Sequence, residues 1–375
     1  MTSDALFGPI FAPGALRAAV SGEAWVRALL DVEAALAAAE AEAGVIAADE
    51  AQAVADACAG APPDPERLGL AGRAGGNPVI PLVAELREAA PAAHCGATSQ
   101  DVLDSAAMLV ARRALAVVLG ELDGVAAACA GLAREHRATP MAGRTLLQQA
   151  QPITFGLKAA GWLAGVADAR AALRAVRLEA QLGGPAGTLA ALGDRGPAVL
   201  AGLAARLGLA EPALPWHARR GRVAALGSAL AVAAGACEKI ALDVVLLAQS
   251  EVGELAEGGG GGSSSMAHKH NPAAAVRARA AARGARAAAG VLLEAMAAEH
   301  ERAAGAWHAE WSALSGALAG AGGAAWCVRE SLDGLVVDPQ RMRANLDALL
   351  ALAGEDPGLG SADAFIDRAL AEAGA

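Results

Sequence analysis

Along most of this chain Ala, Leu and Val return every third or fourth position. The first such stripe is Trp25, Leu29, Val32 and Leu36, with Arg27, Asp31 and Glu33 between its members. That is the period of an α-helix with one face turned inward. The pattern predicts two helices within 22–59, a short one over 80–89, and long ones over 102–137, 153–181, 223–255, 273–305 and 309–331. A helix over 198–207 and two short helices after 338 complete the set, and residues 1–21 read as an irregular arm. The breaks are sharp. Ala61-Pro62-Pro63-Asp64-Pro65, Gly75-Gly76-Asn77-Pro78, Thr139-Pro140 and Gly183-Gly184-Pro185 all carry residues that end helices. Helices well beyond the usual length of about 11–12 residues must lie along one another to bury their stripes.

Composition agrees. The 375 residues are 55% hydrophobic, only 3% aromatic and contain no Tyr, so strand-forming residues are scarce. The expected fold is all-α: a small helical domain over 1–97, a long-helix bundle over 98–335 and a short helical segment over 336–375. Small Ala side chains permit close helix approach, and so few long helices point to a bundle shared between copies.

Charge and cysteine usage narrow the partners. A net charge of -10 argues against general nucleic-acid binding but leaves room for an anionic substrate held by a local cationic cluster. Five widely spaced cysteines without a Cys-x-x-Cys pair fit free thiols in a reducing cytoplasm. The N-terminal residues lack a basic stretch followed by an apolar core, so no secretion signal is expected. The apolar runs 223–237 and 311–328 fall short of the roughly 20 apolar residues of a membrane span and read as buried helices, so no membrane partner is expected.

Three polar loops break the Ala/Leu background. The first is His94-Cys95-Gly96-Ala97-Thr98-Ser99-Gln100-Asp101, whose hydroxyl and acidic end suits a helix cap. The second is Gly143-Arg144-Thr145-Leu146-Leu147-Gln148-Gln149-Ala150-Gln151-Pro152. The third follows five consecutive glycines, Gly258–Gly262, and reads Ser263-Ser264-Ser265-Met266-Ala267-His268-Lys269-His270-Asn271-Pro272. Five glycines cannot hold a helix. They make either a passive linker or the hinge of a mobile active-site loop, and the chemistry that follows favours the hinge. The glycines lack phosphate-loop spacing, and no strand precedes them. His268 and His270 have no third ligand at recognisable spacing, so neither a metal nor any other cofactor is expected. Trp307 and Trp311, four apart, read as core packing.

Together the three loops resemble the signature regions of the fumarase/aspartase superfamily, and Ser263–Pro272 carries its Ser-Ser-x-Met-Pro-x-Lys-x-Asn-Pro pattern with Ala267 in place of Pro. His94–Asp101, Pro215-Trp216-His217, Glu299-His300-Glu301-Arg302 and Trp307-His308-Ala309-Glu310-Trp311 are similar to the cycloisomerase branch. The likeness runs to about Asn345, after which the chain is shorter than is usual in that family. The resemblance implies ring closure of a tricarboxylate, 3-carboxy-cis,cis-muconate, to a lactone in the protocatechuate branch of aromatic-acid breakdown. It also implies a homotetramer whose sites are shared between subunits.

By resemblance, Ser263 carries the proton, with Lys269 and Asn271 stabilising its alkoxide or holding substrate. Thr98, Ser99 and Gln100 would bind substrate carboxylates, and Arg144 and Arg302 would clamp them, since a guanidinium matches carboxylate geometry. Thr145, Gln149, His94 and His268 complete the expected substrate-binding set. Each has a plainer reading: helix caps for Ser263 and Thr98, ion pairs for the arginines, a backbone-bonded ring for His94. Adenylosuccinate- and argininosuccinate-type lyases carry a His and a Glu where this chain has Leu146 and Val276. An amine leaving group needs that proton donor, whereas a carboxylate is stable as an anion. The alternatives are a fumarate-releasing lyase, which the missing pair disfavours, and a helical scaffold without activity.

Overall fold

The computed structural model describes residues 5–258, 261–262, 266 and 269–374. The arm folds into two short helices, α1 (Gly8–Phe11) and α2 (Gly14–Ala19), where irregular chain was expected. Four helices follow: α3 (Gly22–Glu42), α4 (Ala48–Ala59), α5 (Pro65–Gly72) and α6 (Val79–Ala89). The bundle is built from α7 (Ser99–Glu135), α8 (Phe155–Arg174), α10 (Gly221–Leu247), α11 (Ala273–Glu294) and α12 (Ala306–Asp333), with α9 (Gly196–Leu207) beside α3. Helices α13 (Pro339–Ala353) and α14 (Ala362–Glu372) close the chain. The two apolar runs lie within α10 and α12, as buried helices.

Three small antiparallel pairs interrupt the helical pattern. Strands β1 (Pro140–Thr145) and β2 (Gln148–Thr154) form a hairpin, β3 (Leu255–Glu257) pairs with β6 (Leu335–Val337), and β4 (Gly261–Gly262) pairs with β5 (His270–Asn271). The helices expected to reach residues 181, 255 and 305 stop earlier. After α8 the chain runs on to Gly183 and Gly184, whose N–H groups are needed by Asp101. After α10 it turns at Gly253, with φ 62°, so that Glu254 can reach Arg144.

Direction fixes what each end of the bundle carries. Helices α7, α10 and α12 start at one end, while α8 and α11 return from the other. Helix α11 buries Ala274, Ala275, Ala278, Ala281, Ala282, Ala285, Ala289 and Leu292, a stripe made almost wholly of methyl groups. Backbones therefore approach closely: a Cβ added to Gly320 of α12 would lie 2.9 Å from the Ala285 Cβ and 3.0 Å from the Ala281 carbonyl oxygen.

Helix α3 buries two carboxylates on one face, Glu33 and Glu40, both fully inaccessible. Seven residues is about two helical turns, so they stack. Neither Glu40 oxygen has a hydrogen-bond partner among the described residues. Burial, helped by the nearby Glu33 charge, pushes the Glu40 carboxyl from 4.5 up to about 8. The folded chain thus keeps a proton that the unfolded chain releases. Stability should fall as pH rises from 4.5 to about 8 and level off beyond. Urea unfolding of wild type and Glu40→Gln at both extremes checks this. Wild type should lose a few kcal/mol relative to the variant across that range, and parallel pH profiles would refute it.

Candidate active site

The N-termini of α7, α10 and α12 converge on one buried acid, Asp104. Its carboxylate accepts from Arg220 Nη1 at 2.7 Å and Nη2 at 3.0 Å, and from Trp307 Nε1 at 3.0 Å. Arg220, just before α10, also donates through Nε to Glu310 Oε1 at 2.9 Å and through Nη2 to Glu310 Oε2. Arg220 and both acids are buried. Burial raises the Glu310 carboxyl above its ordinary value, with Arg220 pulling the other way. The partial positive charge of three helix starts adds to Arg220 in holding acids at this depth.

One turn earlier, Asp101 ties the first polar loop down. Its Oδ1 accepts from Gly183 N–H at 2.9 Å and meets His217 Nε2 at 2.6 Å. Its Oδ2 accepts from the N–H groups of Gly184 and Thr98, each at 2.9 Å. The loop backbone is thereby fixed, and Thr98 and Ser99 stand half-buried at the start of α7. Arg302 joins them: Nη1 donates to Thr98 Oγ1 at 2.9 Å and Nη2 to the Pro185 carbonyl at 2.9 Å. Three of the expected site residues therefore meet at a helix N-terminus, where anions are favoured.

His94 lies in the same loop with φ 62°, an uncommon conformation for a residue with a side chain. Its Nδ1 is 2.7 Å from Glu33 Oε1. Nε2, on the far edge of the ring, has no partner among the described residues.

Two of the expected site residues are already bonded within the chain. Gln100 turns into the bundle. It is fully buried, and Nε2 donates to Asp104 Oδ2 at 3.2 Å and to the His217 carbonyl at 3.0 Å, because its position on α7 turns inward. Arg144 is not an open clamp. Its two terminal nitrogens donate to Glu254 at 2.9 and 2.8 Å, and that carboxylate is wholly buried and also accepts from Asn345 Nδ2 at 2.8 Å.

The second polar loop is the β1–β2 hairpin, not a helical crossing. Thr145 and Gln149 are exposed on it, and its tip is Leu146-Leu147, with φ 51° and 65° and exposures of 96% and 76%. In the third loop Asn271 Nδ2 donates to the Gly261 carbonyl at 3.3 Å, and Lys269 is exposed. Ser263 and His268 lie outside the described residues. Helix α7, about 55 Å long with its 37 residues rising about 1.5 Å each, lies between the first loop and the hairpin. Among the described residues of one chain the three loops do not meet.

Sequence patterning reads Asp101 as part of a helix cap and assigns no role to Asp104, Arg220 or Glu310. The available signal for Asp104 was a second acid three residues after Asp101 at the helix start. Trp307 and Trp311 do pack edge to face, with centroids 4.9 Å apart, but Trp307 also serves Asp104.

A long-helix bundle with polar loops at both ends is the frame of a helical lyase. A family model described as Lyase matches residues 74–286. A nitrosuccinate lyase from Streptomyces davaonensis is 45% identical over 368 residues, covering 91% of this chain and 77% of that protein. A 3-carboxy-cis,cis-muconate cycloisomerase from Bradyrhizobium diazoefficiens is also 45% identical, over 92% of this chain and 79% of its own. The crystal structure of 3-carboxy-cis,cis-muconate lactonizing enzyme from Pseudomonas putida superposes with a TM-score of 0.91 at 33% identity, covering 99% of each chain. The chain belongs to this lyase family, the fumarase/aspartase superfamily that its three polar loops resemble.

Removing one member of a buried ion cluster leaves the others uncompensated. Arg220→Met should therefore lower the unfolding free energy by about 3–5 kcal/mol, read from denaturant midpoints. A variant as stable as wild type would show that the cluster does not hold the three helix starts.

Proposed function

We propose that this protein is a cycloisomerase that closes 3-carboxy-cis,cis-muconate to 4-carboxymuconolactone. The observation that carries this reading is the pair Leu146 and Val276, two exposed aliphatic residues where amine-releasing members of the family carry His and Glu. A chain without that donor suits a group that enters or leaves as a stable anion. Identity of 45% to a cycloisomerase over most of both chains supports it.

In the reaction a substrate carboxylate oxygen adds to a double bond. The displaced electron pair moves to the carbon beside another carboxylate, and that carbon takes a proton. The trianion and one proton give the lactone dianion, so the donor is reloaded from solvent. We assign the donor as Ser263, with Lys269 and Asn271 beside it. Thr98, Ser99 and Arg302 would hold one carboxylate at the start of α7, with His94, His268, Thr145 and Gln149 completing the pocket. Gln100 and Arg144 would act behind them, as buried supports.

The loops would come together in a homotetramer. The exposed Leu146-Leu147 tip supports this, as do Val232, Val276, Val291 and Leu293, aliphatic residues exposed on α10 and α11. Five free cysteines suit a cytoplasmic enzyme.

A second reading rests on the nitrosuccinate lyase likeness. Elimination of nitrite would need Ser263 as base and, again, no donor for the leaving group. Parallel assays separate the readings: loss of diene absorbance from carboxymuconate, nitrite release from nitrosuccinate, fumarate release from argininosuccinate and adenylosuccinate. The first should dominate, and Ser263→Ala should lower it by about 10²–10⁴-fold. Turnover of nitrosuccinate alone would replace the proposal with the second reading, and an unaffected Ser263→Ala would remove the serine.

A further inference from the structure

Of the chain's 30 Lys and Arg residues only three are lysines: Lys158, Lys239 and Lys269. Lys269 lies in the third polar loop. The other two face a single acid, Asp243 of α10. That acid already accepts three hydrogen bonds. Trp162 Nε1 donates to Oδ2 at 2.8 Å, and Lys239 Nζ lies 2.6 and 2.7 Å from the two oxygens. Lys158 Nζ stands 3.8 Å from Oδ2, beyond hydrogen-bond reach, and has no hydrogen bond among the described residues.

Lys158 sits one turn into α8, directly after the β1–β2 hairpin, with its side chain 21% exposed. The Arg144–Glu254 pair is its other charged neighbourhood. Three cations, Lys158, Lys239 and Arg144, thus share two carboxylates, Asp243 and Glu254, and both carboxylates are bonded to others. The half-buried Lys158 ammonium therefore keeps donors free for a ligand. Its position at the foot of the hairpin that carries Thr145 and Gln149 supplies a reason to keep it.

We propose that Lys158 is an anion subsite that takes a carboxylate of the polyanionic substrate beneath the hairpin. The identity of that polyanion rests on the cycloisomerase reading. A flexible ammonium stem suits the task, because it can move from Asp243 to a ligand, whereas a guanidinium would stay forked on the acid. Burial lowers the Lys158 pKa, with Asp243 opposing.

Acetic anhydride labelling of the whole protein, read lysine by lysine by mass spectrometry, tests the subsite with the tricarboxylate tricarballylate as probe. Lys158 should react in the free protein and be protected about tenfold by saturating probe, while Lys239, 61% exposed, should react alike in both. Lys158→Met, with helix content checked by circular dichroism, should bind the probe about tenfold more weakly in calorimetry. Its KM for carboxymuconate should rise more than its kcat falls. Unprotected Lys158, or unchanged probe affinity in the variant, overturns the subsite. Protection without any carboxymuconate turnover by wild type keeps the subsite and removes the cycloisomerase reading, whereas turnover without protection does the reverse.

Discussion

A rigid helix cannot fold back on itself, and that constraint governs this molecule. Helix α7 runs unbroken from Ser99 to Glu135. Thr98 and Arg302 stand at its start, and the hairpin with Thr145 and Gln149 follows its end. The α10–α11 connection returns Lys269 and Asn271 to that same far end. Chemistry that needs all of these groups around one small polyanion needs a second copy to present its opposite end. In the proposed assembly the strut that separates the loops within a chain also sets the spacing at which neighbouring chains bring them together.

In that proposed assembly the start of α7 must be firm enough to hold a ligand. The chain achieves this with buried charge. Asp101 holds two glycine N–H groups and His217, while Asp104 collects Arg220 and Trp307. A buried ion cluster rarely adds net stability over a well-packed apolar core. Its directional bonds do fix how three helix ends sit relative to one another, which methyl groups alone do poorly. Glu33 extends the pattern, holding one edge of the His94 ring from the body of α3.

Much of this was legible in the sequence. The helical period placed the starts of the long helices within about three residues but ran three of their ends on past residues 174, 247 and 294, and the glycine run with its polar continuation marked a loop that only family likeness could assign. The hairpin was not legible. Arg144-Thr145-Leu146-Leu147-Gln148-Gln149 contains no Asn-Gly or Asp-Gly signal, and Leu146 and Leu147 take positive φ that local preference disfavours. The pairing of Arg144 was not legible because its partner, Glu254, is 110 residues away. The inward turn of Gln100 was not legible because a helix register decides inward from outward, and the polar loop offered no apolar stripe by which to set it.

Subunit complementation tests the central claim most directly. Ser263→Ala alters the third polar loop and Arg302→Ala the group that meets the first, and each should be inactive alone. Unfolded together in equal amounts and refolded, they should regain about a quarter of wild-type activity, because some sites then draw both intact ends from different subunits. A refolded mixture as inactive as either parent would mean that each site is built within a single chain, contradicting a site shared between copies.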